Sequence, residues 1–200
     1  FELFKPGQVQ LRDYYAELPV DIKLTGSYHA LAGFTSDIAQ LPRIVTLHDV
    51  DIKTIVCRQE GGAAYMAEAA GKITGQPGIV MVTRGPGATN ASIGVHVAHQ
   101  DSQPMVLFIG DVASDTRDRE AFQEMDYRVM FGPSALGMAK RVERIDDAAR
   151  IREYIARAFA TAMNGRPGPV VLVLPEDMLT QPVLPNSATG KLPQPLPRVE

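Results

Sequence analysis

Three uninterrupted apolar runs punctuate this 200-residue chain: Gly78–Thr83, Pro104–Gly110 and Gly168–Pro175. A strand with one wet face alternates apolar and polar residues. A strand that is apolar throughout is covered on both faces, as in a parallel sheet joined by crossover helices. The segments between the runs agree. Glu60 to Ile73 reads as a helix of small residues, stopped by Gly75 and Pro77. Ala88 to His99 reads as a second helix. Asp146 or Asp147 can cap a third, whose apolar residues Ala148, Ile151, Ile155, Phe159 and Ala162 recur at helical spacing before Asn164-Gly165 ends it. Ile52–Cys57, rich in β-branched residues, reads as a further strand. Residues 111–144 read as irregular, with a short helix near Glu120–Met125. The expected fold class is α/β: a doubly wound open sheet, mainly parallel, with right-handed crossovers and helices on both faces.

Composition narrows the function classes. A net charge of −3 without a basic cluster gives no nucleic-acid footprint. The apolar runs are too short to span a bilayer, and Phe1-Glu2-Leu3-Phe4-Lys5 lacks the order of a signal peptide. Cys57 is the one cysteine, which excludes an internal disulfide and a multi-cysteine metal site. A cytoplasmic setting is the expectation. Residues 181–200 carry Pro182, Pro185, Pro193, Pro195 and Pro197 with almost no periodicity. They read as an extended linker, so a domain over residues 1–180 is expected to lead into a further, central domain. Residues 1–50 are the least legible, with Ile44–Leu47 as one candidate strand.

Two loops carry the chemistry. Arg58-Gln59-Glu60-Gly61-Gly62-Ala63 places a carboxyl between an apolar segment and a helix of small residues. Arg84-Gly85-Pro86-Gly87-Ala88-Thr89-Asn90 makes a tight turn at the carboxyl end of an expected parallel strand, where open α/β sheets bind ligands. Read alone, Glu60 could simply stabilise a helix N-terminus. The turn could equally cradle phosphate, although no Gly-Lys-Ser/Thr follows and the glycines do not make Gly-x-Gly-x-x-Gly. Two other readings favour structure over function. His96 and His99 lie one turn apart without an evident third ligand, and Cys57 reads as a buried inert thiol.

Together these motifs resemble the pyrimidine-binding domain of thiamine-diphosphate enzymes, closest to the acetolactate synthase group. The resemblance implies that Glu60 hydrogen-bonds the N1′ nitrogen of the cofactor's aminopyrimidine and favours its imino tautomer, with a pKa raised by desolvation. It implies that Gly85, Pro86 and Asn90 contact the same ring. Ala121-Phe122-Gln123-Glu124 resembles the Phe-Gln-Glu segment of acetolactate synthases, which implies that Phe122 lines the substrate pocket and that Gln123 reaches the reacting carbon as a catalytic donor. Gln100–Met105 also fits the family, with Asp101 as a cap or bridge.

The resemblance is clearest over about residues 50–180 and weakens before them. Gly26-Ser27-Tyr28 is the nearest echo of the family's early Gly-x-Pro-Gly loop. Gly110-Asp111 lacks the continuation of the family's diphosphate motif. Thiamine diphosphate and Mg²⁺ are therefore expected to need a domain absent from this chain, and FAD is open. A homodimer or homotetramer with the active site at the subunit interface is implied, as is decarboxylation or ligation of a 2-keto acid. This chain alone is expected to be inactive. Two rivals remain: a non-catalytic interaction or assembly domain of the same fold, and a nucleotide- or flavin-binding domain.

Overall fold

The structure is a computed structural model that describes residues 3–6, 8, 10–11, 16–17, 20–23, 54–132 and 137–183. The candidate strand Ile44–Leu47, the Gly26-Ser27-Tyr28 echo and most of the Pro-rich segment lie outside them. Contacts divide the chain into two compact units, Phe1–Thr54 and Ile55–Glu200. In the first, β1 (Leu3–Pro6) pairs antiparallel with β4 (Val20–Lys23), and β2 (Gln10–Leu11) pairs antiparallel with β3 (Ala16–Glu17).

The second unit is built on a four-stranded parallel sheet. Its strands are β5 (Gly78–Val82), β6 (Met105–Asp111), β7 (Arg141–Arg144) and β8 (Pro169–Pro175), in the order β5-β6-β8-β7. The period-two pleat sends alternate residues to opposite faces. Met105, Leu107 and Ile109 join Val171 and Val173 on one face, against α1 (Glu60–Thr74) and α2 (Gly85–Gln100). Val106 and Phe108 join Val170 and Leu172 on the other, against α4 (Ile151–Met163) and Met178 of the short α5 (Glu176–Leu179). Helices thus cover both faces, and the fold is the α/β class that the apolar runs predict.

Helix ends follow the local chemistry. Gln59 caps α1 by accepting from Gly62 N–H at 2.8 Å. Gly75 closes the helix with φ +66°, a left-handed conformation that glycine adopts without penalty. Asp147 caps the 3-10 turn that leads into α4. α1 and α2 pack unusually close, because a Cβ on Gly94 would lie 2.5 Å from Ala64 Cβ and 2.7 Å from Ala64 carbonyl carbon. That seam fixes how the two helix N-termini face each other.

Four expectations need correction. Of the expected strand Ile52–Cys57, the described residues Thr54–Cys57 are not in strand conformation, and Ile55 and Val56 are largely exposed; β-branched content is a context-dependent signal that packing overrides. β5 is covered on one face only: Val80 and Val82 are buried, whereas Met81 is 70% exposed, because α4 packs on β6, β7 and β8 and does not reach this edge. The segment 111–144 is not irregular throughout. It ends in β7, and its helix is α3 (Tyr127–Phe131), capped by Asp126, and not a helix near Glu120–Met125. Cys57 is half-buried, with its Sγ 3.6 Å from Met66 Sδ.

Candidate active site

The close packing of α1 on α2 brings the two glycine-rich loops together. Glu60 opens α1 and the Gly85-Pro86-Gly87 turn opens α2, with Pro86 in the first turn, where its missing N–H costs nothing. Asn90 Nδ2 donates to Glu60 Oε2 at 3.0 Å. Glu60 Oε1 lies 3.7 Å from the point a Cβ on Gly87 would occupy. A side chain at Gly87 would also meet Thr83 Cγ2 at 2.8 Å and Val82 Cβ at 3.6 Å, so the turn packs against the end of β5 too closely for any residue but glycine.

The expected upward pKa shift at Glu60 is not what the structure shows. The carboxyl is held below the usual carboxylate range, first by a hydrogen bond from its own backbone amide and then by the Asn90 amide; burial opposes these and loses. A helix N-terminus favours the anion. With the folded pKa depressed, the stabilisation from these bonds is present above the unfolded carboxyl's pKa. It is lost as pH falls through the folded value. Asn90→Ala should move the Glu60 carboxyl upward, toward its ordinary pKa. A ¹³C NMR titration of the side-chain carboxyl checks this, and an unmoved midpoint would mean the amide has no hold on the charge.

The Phe-Gln-Glu segment reaches the same turn through its backbone. Gly85 N–H donates to Gln123 C=O at 3.1 Å, and a Cβ on Gly85 would lie 2.7 Å from that oxygen. Phe122 is 81% exposed and Gln123 is half-buried. Two hollows flank the loop. One, about 40 Å³, is lined by Asp111, Arg117, Glu124, Tyr127 and Arg144 among others. The other, about 510 Å³ and open, is lined by residues 117–118, 120–121 and 124–126. Neither is lined by Glu60.

Beneath the loop, at the carboxyl ends of β6 and β7, Arg144 Nε donates to Asp111 Oδ2 at 3.2 Å. Arg144 also bonds Asp146 and, at 3.2 Å, Ser114 Oγ. Asp111 Oδ1 is buried without a partner, and the Tyr127 hydroxyl is buried beside the Gly85 amide. Burial first, and then the Asp111 charge, push the Tyr127 phenol up to about 12. This network was not foreseen; charged residues in an irregular stretch give no signal of pairing.

Asp101 pairs with Lys72 at 2.9 Å. His99 sits in the last turn of α2, its pKa lowered by burial and by Arg166 and His96. Arg166 bonds the His99 and Gln100 carbonyls, which ties the helix end to the turn before β8. Among the described residues no group of three or more His, Cys, Asp or Glu could hold a metal, and no helix is long and apolar enough to cross a membrane.

Residues 33–130 match the family described as thiamine pyrophosphate enzyme, N-terminal TPP binding domain. Over those residues the chain is similar to that domain family. The match begins earlier than the motifs alone suggest, at residue 33, and takes in Glu60, the Gly85–Asn90 turn and Phe122-Gln123. The probable acetolactate synthase large subunit of Methanococcus aeolicus is 39% identical over 70% of this chain and 23% of its own length. The acetolactate synthase large subunit of Lactococcus lactis is 38% identical over 71% and 24%. Acetolactate synthase isozyme 3 large subunit of Escherichia coli is 40% identical over 66% and 23%. The chain thus spans about a quarter of the length of these relatives. The residues present fit a basic ring nitrogen: a half-buried carboxylate at the N-terminus of α1, held at Oε2 by the Asn90 amide.

Proposed function

We propose that this chain forms the pyrimidine-binding part of a thiamine-diphosphate enzyme acting on 2-keto acids, in the manner of an acetolactate synthase. The observation that supports it best is the Glu60 carboxylate, gripped at Oε2 by Asn90 and facing Gly87 with Oε1. Thiamine diphosphate supplies a thiazolium carbon that adds to a carbonyl and a ring that accepts the electrons released on decarboxylation. Glu60 shares a proton with the ring nitrogen N1′. Asn90 fixes the rotamer of Glu60 and leaves Oε1 for the cofactor. The Gly85-Pro86-Gly87 turn lets the ring approach the backbone. Phe122 excludes water from the substrate side, and Gln123 donates to a carboxylate or carbonyl oxygen.

The lowered Glu60 pKa is consistent with this reading. The carboxylate stands ready, and covering it with an apolar ring adds desolvation that raises its proton affinity. In this proposal the cofactor's diphosphate and its Mg²⁺ are held by a separate domain, contributed by a partner subunit.

Titrating thiamine diphosphate with Mg²⁺ into the intact protein tests the proposal. Saturable heat release by calorimetry is expected. No binding at millimolar ligand would favour a non-catalytic assembly domain of the same fold.

A further inference from the structure

The loop that carries Phe122 and Gln123 is bent in an unusual way. Asp118, Glu120 and Gln123 all adopt positive φ, at 61°, 54° and 65°. Residues with a Cβ are uncommon in that region, and Glu and Gln lack the short polar side chain that makes Asp and Asn tolerable there. Three such residues within six positions persist only where the surroundings over-determine them.

One side chain supplies that constraint. Glu124 Oε1 accepts from Asp118 N–H at 2.6 Å, and Oε2 accepts from Ala121 N–H at 2.9 Å. The Glu124 N–H in turn donates to the Ala121 carbonyl at 2.9 Å. Both carboxylate oxygens are thus engaged by the loop's own backbone. The carboxyl is held below its ordinary pKa by the Asp118 amide first and the Ala121 amide second. Charge-assisted bonds of this kind are about twice as strong as neutral ones. Residues 121–124 form the turn that sets Phe122 outward and seats the Gln123 carbonyl on Gly85 N–H.

We propose that Glu124 is a positioning residue for substrate recognition: its carboxylate clamps the 118–123 loop in the conformation that presents Phe122 and Gln123 beside the Gly85 turn. The inference rests on the proposed substrate-side role of those two residues, while the clamp stands on geometry alone. Glu124 touches neither substrate nor cofactor in this scheme. An amide in its place keeps one acceptor and points an NH₂ group at a backbone N–H.

Glu124→Gln in the intact protein tests this with two readouts. Without any thiamine present, hydrogen exchange at the Asp118 and Ala121 amides should accelerate by about tenfold or more, the loss of a hydrogen bond to a charged group, while the amides of β6 and β8 keep their protection. With thiamine diphosphate and Mg²⁺ bound, the KM for a 2-keto acid should rise, while exchange of the thiamine C2 proton stays within about twofold of the parent. Unchanged exchange at 118 and 121 would overturn the clamp. Loss of protection throughout β6 and β8 would reduce Glu124 to a general structural residue and overturn it equally. A free loop with an unchanged KM would remove its part in recognition. Failure of the parent protein to bind thiamine diphosphate would instead sink the proposed function and leave the first readout standing.

Discussion

Glu60→Gln is expected to slow exchange of the thiamine C2 proton by a factor on the order of 10²–10⁴, the usual worth of a positioned proton-transfer group, and to weaken cofactor binding. The substitution is close to isosteric. The amide oxygen of Gln can still accept from Asn90, so the contact between the N-termini of α1 and α2 is preserved. What disappears is the ability to share a proton with the ring nitrogen N1′, because a neutral amide does not take one up near neutral pH. The Gln59 cap on Gly62 and the Gly94–Ala64 seam are untouched, so α1 should keep its place. The measurement is proton–deuterium exchange at C2, followed by NMR in the intact protein with thiamine diphosphate and Mg²⁺. Exchange at the parent rate would take Glu60 out of the mechanism.

Arg144→Met is expected to give the largest loss of stability, about 3–5 kcal/mol, the range for removing one partner of a buried ion pair. The Arg144 and Asp111 side chains are only 11% and 6% exposed. Asp111 Oδ1 already lacks a partner, so taking away the guanidinium leaves a buried carboxylate with no compensation on either oxygen. The same substitution removes one bond to Ser114, whose N–H and hydroxyl stay on Asp177 Oδ1. Adding Asp111→Asn to Arg144→Met should recover part of the loss by neutralising the stranded charge. Urea denaturation of the two variants and the parent reads this directly. A deficit under about 1 kcal/mol, the worth of an exposed pair, would mean that water reaches the pair.

The sheet was legible because β6 and β8 are central strands, whose neighbours on both faces leave a continuous apolar record in Met105–Ile109 and Val170–Leu174. The same rule misled at β5. Its run is as apolar as theirs, yet Ile79 and Met81 face outward, since sequence reports what a residue is and not what lies above it. β7 left no such record. Arg141-Val142-Glu143-Arg144 is an edge strand whose charged side chains are satisfied sideways, with Glu143 bonded to Arg141 and Arg157. The apolar pattern that marks a strand is therefore missing. At the site, both motifs were legible, but what brings Glu60 to the Gly-Pro-Gly turn is the close packing of α1 on α2 at Ala64 and Gly94, and not a strand before Glu60. The Asn90 bond to Glu60 was not readable, nor was the downward pull on its pKa, because both depend on the rotamers of two side chains thirty positions apart. In the sequence Glu124 stands out only as part of the Phe-Gln-Glu motif; its bonds are to amides three and six residues back, a pattern that loops show in no fixed register.

The single backbone bond from Gly85 N–H to the Gln123 carbonyl has a consequence for how such a protein can diversify. The segment that would meet the substrate and the turn that would hold the ring share one amide. The acceptor is a main-chain carbonyl, so exchanging the side chains at 122 and 123 leaves the bond in place, whereas a change that rebends the loop moves the turn with it. Replacements of side chain in the first stretch should therefore be tolerated singly, and insertions or deletions there should arrive with compensating changes in the second.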